Sequence, residues 1–334
     1  MSTIVYTDAP GSGQVQLPAK LRQFYDKNLL NNAVEELLID AYASTKSLPK
    51  YYGDEVRFSR YERLPNFDDT PLVEGVVPSS TPLTKTDIET TAQDFGQFIS
   101  FTDKILVAHE DGQRLIKVMS DELGKSAGES QENLIFKGIA GGTNVIYADG
   151  NTNLADVGNN HSKLTNTDIK IMQLSLRNQI AKKFNKIITG TTKVGTQPIA
   201  ESFIGFCHPS VVNDLEDIVG WAAVHTYADD GKAQKGEVGA IGKFRIIETT
   251  LCPIDDTTVA GTNIYTSFWF GEESFARVSV RGTKAPTMIF KNVGSAGSQD
   301  PLNQLGSSGV KFSSAACILN DAWLIRSHSC TSID

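Results

Sequence analysis

The chain has 334 residues, of which 40% are hydrophobic and 21% are charged, and its formal net charge is −8. This length exceeds what one small core holds, so we expect one large domain with lobes or two intertwined domains. The longest apolar runs fall short of the roughly 18–20 residues that a membrane helix needs, which predicts no membrane partner. The acidic balance argues against tight coating of DNA, because such binding relies on Lys and Arg to neutralise phosphates.

The first residues and the cysteines indicate the compartment. Residues 1–13 lack the basic start and apolar stretch of a secretion signal, so we expect a protein that stays in the cytoplasm. The cysteines are widely spaced and form no CxxC pair, which favours buried thiols over a zinc site. They are Cys207, Cys252, Cys317 and Cys330.

The first third of the chain predicts an arm, a helix and a long hairpin. Residues 1–16 are rich in Gly, Ser and Thr, and helical spacing of apolar residues follows Pro18 as far as Ala41. Between 54 and 100, strand-like alternation at Glu55–Phe58 is followed by a polar stretch with prolines at 65, 71, 78 and 82, and the β-branched residues of Thr81–Thr91 resume the strand character. This segment is either an exposed hairpin or an arm that packs on a neighbouring subunit.

Two helices are predicted in the middle of the chain. One begins at Thr102–Asp103 and runs to about Ile135, and Gly138–Asn160 then reads as a loop. The motif Thr165–Asp168 caps the second helix. Its apolar stripe is Ile169, Met172, Leu176, Ile180, Phe184 and Ile187. Its lysines and arginines form either a solvated face or a face toward DNA or a partner.

Strand candidates dominate the remainder. They are Phe203–Cys207, Lys243–Thr249, Asn263–Phe270, Ala276–Val280, Met288–Lys291 and Val310–Arg326. A short helix is predicted at Ser210–Val219, and Gly294–Gly309 reads as a glycine-rich joint. Helices and strands mix without regular βαβ alternation, which predicts an α+β fold.

One catalytic motif is present. Gly124–Gly128 matches G-x-S-x-G with Ser126 as the serine, but it lies in a helical pattern with no strand before it. We interpret it as a chance match and predict no catalytic, cofactor-binding or metal residues. A soluble hydrolase that uses Ser126 is kept as an alternative.

Two blocks carry a resemblance to a known family. Residues 72–78 read LVEGVVP, and 95–104 read FGQFISFTDK at the start of the long helix. Residues 294–304 read GSAGSQDPLNQ and run into GVKF at 309–312, followed by AACILNDAWLIR at 315–326. In content and order these blocks resemble the major capsid proteins of N-four-like tailed phages.

The resemblance implies the Hong Kong 97-type phage capsid fold. It divides the chain into an N-terminal arm and helix (1–49), an extended loop (50–101), a spine helix with part of the peripheral domain (102–159), an axial domain (160–270) and the rest of the peripheral domain (271–334). It implies a non-enzymatic major capsid protein that forms hexamers and pentamers of an icosahedral head around double-stranded DNA, without sequence-specific binding.

The same resemblance implies a place and partners. Assembly is expected in the host bacterial cytoplasm, and the product is the virion capsid. Portal, scaffold and decoration proteins are possible partners. An encapsulin-like nanocompartment shell is the first alternative, and a DNA-binding module that uses the basic helix at 169–200 is a further one.

The extended loop supplies the candidate contacts between subunits. They are Arg57, Arg60, Arg63, Asp68 and Asp69. We hypothesise that the arginines, which lie near Glu62 and the aspartates in sequence, form inter-subunit ion pairs. Simple surface solvation is the alternative.

Overall fold

The computed structural model describes most of the chain after the first 37 residues. The described ranges are 38–48, 55–64, 71–77, 80–108, 112–184, 201–227, 233–280, 286–295 and 300–333. The helices are α1 (Asp103–Ala108), α2 (Gly112–Ile139), α3 (Leu154–Asn159), α4 (Asn166–Asn178) and α5 (Pro209–Glu216). Among the described residues, no helix is long and apolar enough to cross a membrane.

The strands follow in chain order. They are β1 (Ser44–Leu48), β2 (Glu55–Tyr61), β3 (Lys85–Thr91), β4 (Gln93–Thr102), β5 (Val145–Tyr147), β6 (Phe203–Cys207), β7 (Trp221–Ala223), β8 (Glu237–Ile241), β9 (Phe244–Glu248), β10 (Ile254–Asp255), β11 (Ile264–Phe270), β12 (Phe275–Val280), β13 (Thr287–Lys291), β14 (Leu305–Ile318) and β15 (Leu324–Ser329). The mixture confirms the α+β class.

A five-stranded sheet is built around the long strand β14. Its order is β1-β12-β14-β13, and β4 also pairs with β14. Alternate residues of the sheet face helix α2, so Val310 and Phe312 pack with Ile116, Leu123 and Ala127 of the helix in one buried cluster. Apolar residues recur at every second position along the strand and at every third or fourth position along the helix, and the two sets pack against each other.

The second sheet has eight strands and is covered on both faces. Its order is β5-β15-β11-β6-β9-β8-β7, with β10 added to β11. Every residue of β11 is buried, as expected for a strand between two layers. Met172 of α4 and Leu215 of α5 pack on one face. Ile135 and Phe136, near the end of α2, pack on the other. Helix α2 thus joins the two sheets.

Buried polar contacts fix the segment before β1 to the same helix. The backbone N–H of Ile39 donates to Glu132 of α2 at 3.0 Å. Asp40 pairs with Arg277 of β12 at 2.6 Å, and Arg277 also donates to Gln131 at 2.9 Å. Strand β1 then pairs in parallel with β12. These contacts fasten the start of the described chain to the five-stranded sheet and to α2.

Several elements match the sequence-based prediction. The strands predicted near β6, β9, β11 and β12 are confirmed, with ends that agree within one residue. The helix predicted from Thr102–Asp103 is observed as α1 and α2, and the one predicted at Ser210–Val219 is α5. The predicted N-terminal helix lies largely outside the described residues, and its described end is a 3-10 turn at Ile39–Tyr42.

The predicted second helix is too long. Its N-terminus is confirmed by a capping box between Thr165 and Asp168, but α4 ends at Asn178. Ile180 follows with φ of 54°, and the N–H of Ala181 donates to the carbonyl of Leu176 at 3.0 Å, which closes a Schellman-type end. The stripe predicted beyond Leu176 is therefore wrong for Ile180 and Phe184, while Ile187 lies outside the described residues.

Three other boundaries also differ from the prediction. The predicted loop Gly138–Asn160 contains β5 and α3, whose N-terminus is capped by Asn153. The predicted strand Val310–Arg326 is two strands, because Asn320 caps a 3-10 turn at Asp321–Trp323. The predicted glycine-rich joint ends early, since Leu305–Gly309 already pairs with β4.

Candidate assembly surface

The extended loop predicted at 50–101 contains an antiparallel hairpin of β2 and β3, and its last residues form β4, which pairs with β14. Arg57 lies opposite Glu89, Ser59 opposite Asp87 and Tyr61 opposite Lys85. These residues alternate with an inner face, on which Val56 packs against Val278 and partly buried Ala315. This inner face of the hairpin thus makes apolar contacts with the five-stranded sheet.

Charged pairs line the outer face of the hairpin. The Nε of Arg57 donates to Glu89 at 2.8 Å, and Ser59 donates to Asp87 at 2.6 Å. The hydrogen bond to Glu89 raises the pKa of Arg57, and hydrogen bonds from Ser59 and Lys85 lower the pKa of Asp87. All these side chains are solvent-exposed, so each pair contributes little to folding stability. Within one subunit, these pairs hold the side chains of the outer hairpin face in defined positions.

Arg60 lies on the inner side of the hairpin, opposite Thr86 and near the end of the ladder that leads into the connecting loop. Its Nη2 donates to Glu62 at 2.8 Å, and its Nη1 donates to the carbonyl of Leu319 at 3.4 Å. Hydrogen bonds from Arg60 and from Thr86 lower the pKa of Glu62. Arg60 therefore ties the hairpin to the chain segment after β14.

The other three predicted contact residues make no ion pair that the structure describes. Arg63 is exposed and has no ion-pair partner among the described residues. Asp68 and Asp69 lie outside the described residues. The structure thus brings Arg57 and Arg60 together with acids of their own chain, and inter-subunit pairing stays a prediction for the whole set.

An apolar tip completes this surface, and the sequence interpretation did not single it out as a contact. Leu72, Val73, Val76 and Val77 are 63 to 91% exposed. The N–H of Val76 donates to the carbonyl of Val73 at 3.1 Å, and Gly75 between them has φ of 79°. This is the geometry of a tight turn that needs glycine at its third position. The available signal was four aliphatic residues between Pro71 and Pro78.

Ser126 does not sit in the setting of a nucleophile. It lies inside the 28-residue helix α2, and its Oγ donates to Gln97 of β4 at 2.9 Å. A nucleophile elbow requires a strand-to-helix turn that exposes the serine, and this helix interior has none. Among the described residues, His, Cys, Asp and Glu form no group of three that could hold a metal ion.

Residues 85–300 match the family model described as "Phage capsid protein". The chain belongs to this phage capsid protein family. As a member, it is a structural component of the phage virion. It is 22% identical to the "Major capsid protein" of Pseudomonas phage KPP21 over 284 residues, which cover 72% of this chain and 71% of that relative.

Solved phage capsids share the fold over nearly the whole chain. The capsid of Ralstonia phage GP4 superposes with a TM-score of 0.67 at 14% identity, covering 99% of this chain and 98% of the other. The cyanophage Pam1 capsid gives 0.57 at 12% identity with full coverage of both chains, 100% each. The head of Helicobacter pylori bacteriophage KHP40 gives 0.57 at 14%, over 88% and 89%. The predictions of a phage major capsid protein and of a Hong Kong 97-type fold are confirmed at the level of family and fold.

Proposed function

We propose that this capsid protein self-assembles into the hexamers and pentamers of an icosahedral phage head that encloses double-stranded DNA. The observation that carries the proposal is the hairpin of β2 and β3 with its apolar tip. A two-stranded hairpin is at best marginally stable alone, and a cluster of exposed aliphatic side chains is costly in water. Both features are accounted for when a neighbouring subunit covers the tip.

The proposed division of labour follows the chain. In this proposal, residues 1–49 form the N-terminal arm and helix, 50–101 the extended loop and 102–159 the spine helix with part of the peripheral domain. Residues 160–270 form the axial domain, and 271–334 complete the peripheral domain. The position of α2 between the two sheets supports this division, because a rigid spine can hold one sheet at the centre of a ring and the other at its rim.

Ion pairs between subunits would complement the apolar tip. Arg63 is the best candidate, since it is exposed and has no ion-pair partner among the described residues. Arg57 and Arg60 already pair with acids of their own chain, but their guanidinium groups remain partly exposed and can also attract an acid of a neighbouring subunit. The proposed acidic partners are Asp68 and Asp69. Such pairs fix orientation between subunits more than they add affinity.

The proposed setting is a head assembled in the host bacterial cytoplasm, with portal, scaffold and decoration proteins as further partners. DNA is held without sequence-specific contacts, in keeping with the net charge of −8. The protein has no enzymatic role in this proposal. The position of Ser126 inside α2 supports that view over a hydrolase.

Electron microscopy of the full chain, expressed in bacteria and purified, tests the proposal. We expect closed shells or separate rings of five and six subunits. A monomer that stays monodisperse at high concentration, even with a scaffold protein supplied, would contradict it. Shells that carry a protein cargo instead of DNA would favour the nanocompartment alternative.

A variant pair tests the role of Arg63 separately. Arg63→Glu is expected to raise the concentration required for assembly, because it places like charges in contact with Asp68 or Asp69 of a neighbour. Arg63→Lys keeps the charge and serves as the control. Equal assembly of both variants would show that Arg63 is only solvated.

A further inference from the structure

Helix α4 has an exposed face that is both apolar and basic. Lys170, Ile171, Leu174, Arg177 and Asn178 are spaced i, i+1, i+4, i+7 and i+8, which places them on one side of the helix. Ile171 is 50% exposed and Leu174 is 54% exposed. The opposite side of the helix is buried in the core under the eight-stranded sheet. The helix is therefore apolar on two faces, of which the fold covers one.

The positive charge on this exposed face is not neutralised within the described part of the chain. Neither Lys170 nor Arg177 has an ion-pair partner among the described residues, and both are exposed. The acid of the helix, Asp168, is buried and accepts hydrogen bonds from the N–H groups of Thr165 and Asp149 at 2.9 and 3.0 Å. It is thus committed to capping and does not balance the face.

The end of α5 has the opposite character. Glu216 and Asp217 are exposed and also have no ion-pair partner among the described residues. Val219, two residues on, is 87% exposed. The stretch from Pro209 to Tyr227 contains no Lys or Arg. This surface therefore combines an exposed aliphatic side chain with unbalanced negative charge.

We propose that these two surfaces are partners, so that the basic face of α4 in one subunit packs against the acidic end of α5 in the next. The inference rests on the proposed shell function and names a contact that holds the ring together. A head-to-tail contact joins two unlike surfaces of identical chains, and its repetition closes a ring. Apolar burial drives the contact, while the opposite charges set its orientation and disfavour like-with-like pairing.

A second copy of the chain fits the face of α4 better than DNA does. A duplex presents phosphates, which would engage Lys170 and Arg177 but leave Ile171 and Leu174 without apolar contact. The acidic end of α5 supplies both kinds of complement at once. The negative charge at the end of α5 would repel a nucleic acid.

Exchange of the charges tests the pairing in the full chain. One variant makes the basic face acidic, with Lys170→Glu and Arg177→Glu. A second makes the acidic end basic, with Glu216→Lys and Asp217→Lys. Each is expected to raise the concentration needed for ring or shell formation about tenfold or more, because like charges then meet. The combined fourfold variant should return to within about threefold of the wild type.

The control keeps every charge, with Lys170→Arg and Arg177→Lys, and should assemble as the wild type does. If either reversed variant assembles at the wild-type concentration, the pairing is wrong while the shell function stands. Failure of the fourfold variant to recover would also overturn it. Absence of shells and rings from the wild-type protein would instead remove the proposed function itself.

Disulfide trapping gives a readout that does not depend on charge. A chain with Leu174→Cys and Val219→Cys should, after mild oxidation of assembled rings, run on a non-reducing gel as a ladder of covalent oligomers up to the ring size. Either single variant should give no ladder beyond that of the wild type, since its introduced cysteine faces an aliphatic side chain of the neighbour and three of the four native cysteines, Cys207, Cys252 and Cys330, are buried. A double variant that stays monomeric on the gel would contradict the proposal.

Discussion

Glu237 and Arg245 form an ion pair that is almost wholly buried between neighbouring strands. Arg245 donates to Glu237 through Nε at 2.7 Å, and the hydroxyl of Tyr227 donates to the same carboxylate at 2.7 Å. Burial and the hydrogen bond to Glu237 raise the pKa of Tyr227, which therefore stays protonated. The backbone N–H of Gln234 also donates to this carboxylate, at 2.7 Å, so Glu237 satisfies three partners.

Removal of this carboxylate should be costly. We expect Glu237→Ala to lower the free energy of unfolding by about 3–5 kcal/mol, because Arg245 is left buried without a counter-charge. Urea unfolding of the unassembled subunit measures the change. Glu89→Ala, which breaks the exposed pair with Arg57, is the matched control and should cost at most about 1 kcal/mol. Equal losses in the two variants would refute the distinction.

We expect His328 to make the free energy of unfolding of the subunit depend on pH. It is buried in β15, lies 3.1 Å from the hydroxyl of Thr266 and stacks on Tyr147. Burial, aided by Arg326, lowers its pKa to about 4, and the carboxylate of Asp255 offsets only part of this. In the unfolded chain, a histidine takes up its proton near pH 6.5.

The sign of the effect follows from these two values. Between about pH 6.5 and 4 the unfolded state binds a proton that the folded state does not, so stability falls as the pH is lowered through this window. The loss should approach about 3 kcal/mol at pH 4. Urea unfolding at a series of pH values should show this fall in the free energy of unfolding in the wild type. In His328→Gln, the free energy of unfolding should depend less steeply on pH over the same window. Identical slopes would show that another group is responsible.

At the scale of elements, the close approach of α2 to β14 depends on Gly138. A Cβ at this position would lie 2.7 Å from the Cβ of Ala316, closer than two carbon atoms can pack. The glycine therefore lets the last turns of the helix lie directly on the strand.

A larger side chain should push these two elements apart. We expect Gly138→Leu to lower the free energy of unfolding by about 1–3 kcal/mol through overpacking. Gly141→Ala is the control, since a Cβ there meets only a carbonyl oxygen at 3.8 Å. Urea unfolding of both variants measures the difference. A neutral Gly138→Leu would mean that the helix can shift without cost.

Local signals explain which elements the sequence could predict. The start of α4 was predictable because its cap, Thr165 with Asp168, lies within four residues of chain. Its end was not, because a hydrogen bond from Trp323 to the carbonyl of Gln179 comes from a distant segment and accompanies a left-handed Ile180. The break between β14 and β15 was missed for a related reason, since the apolar pattern continues through a turn that Asn320 caps.

The candidate assembly surface was likewise predictable from local sequence only in part. The place of Arg57 on the outer face was predictable from strand alternation, since Arg57 follows the inward-facing Val56. The apolar tip was missed as a contact because prolines and glycine in a segment indicate a turn, and the exposure of its valines depends on whether other parts of the chain pack on them. Exposure is a property of the whole molecule and cannot be inferred from local sequence.

At the scale of the whole molecule, folding and assembly use different residues. The two sheets and α2 bury the apolar side chains that stabilise the subunit. The tip of the extended loop takes no part in those buried clusters. Its side chains are therefore free to contribute to contacts between subunits without changing the stability of one subunit.

Replacement of the tip should separate the two processes. We expect the fourfold variant Leu72→Ser, Val73→Ser, Val76→Ser and Val77→Ser to change the free energy of unfolding by less than about 1 kcal/mol, because these side chains are already exposed. The same variant should raise the concentration needed for shell formation more than about tenfold, since apolar area is no longer buried between subunits. Urea unfolding and sedimentation of assembled particles measure the two effects. Val73→Ile with Val76→Leu keeps the tip apolar and should assemble normally, whereas shells of the serine variant at the wild-type concentration would show that the tip is not a contact.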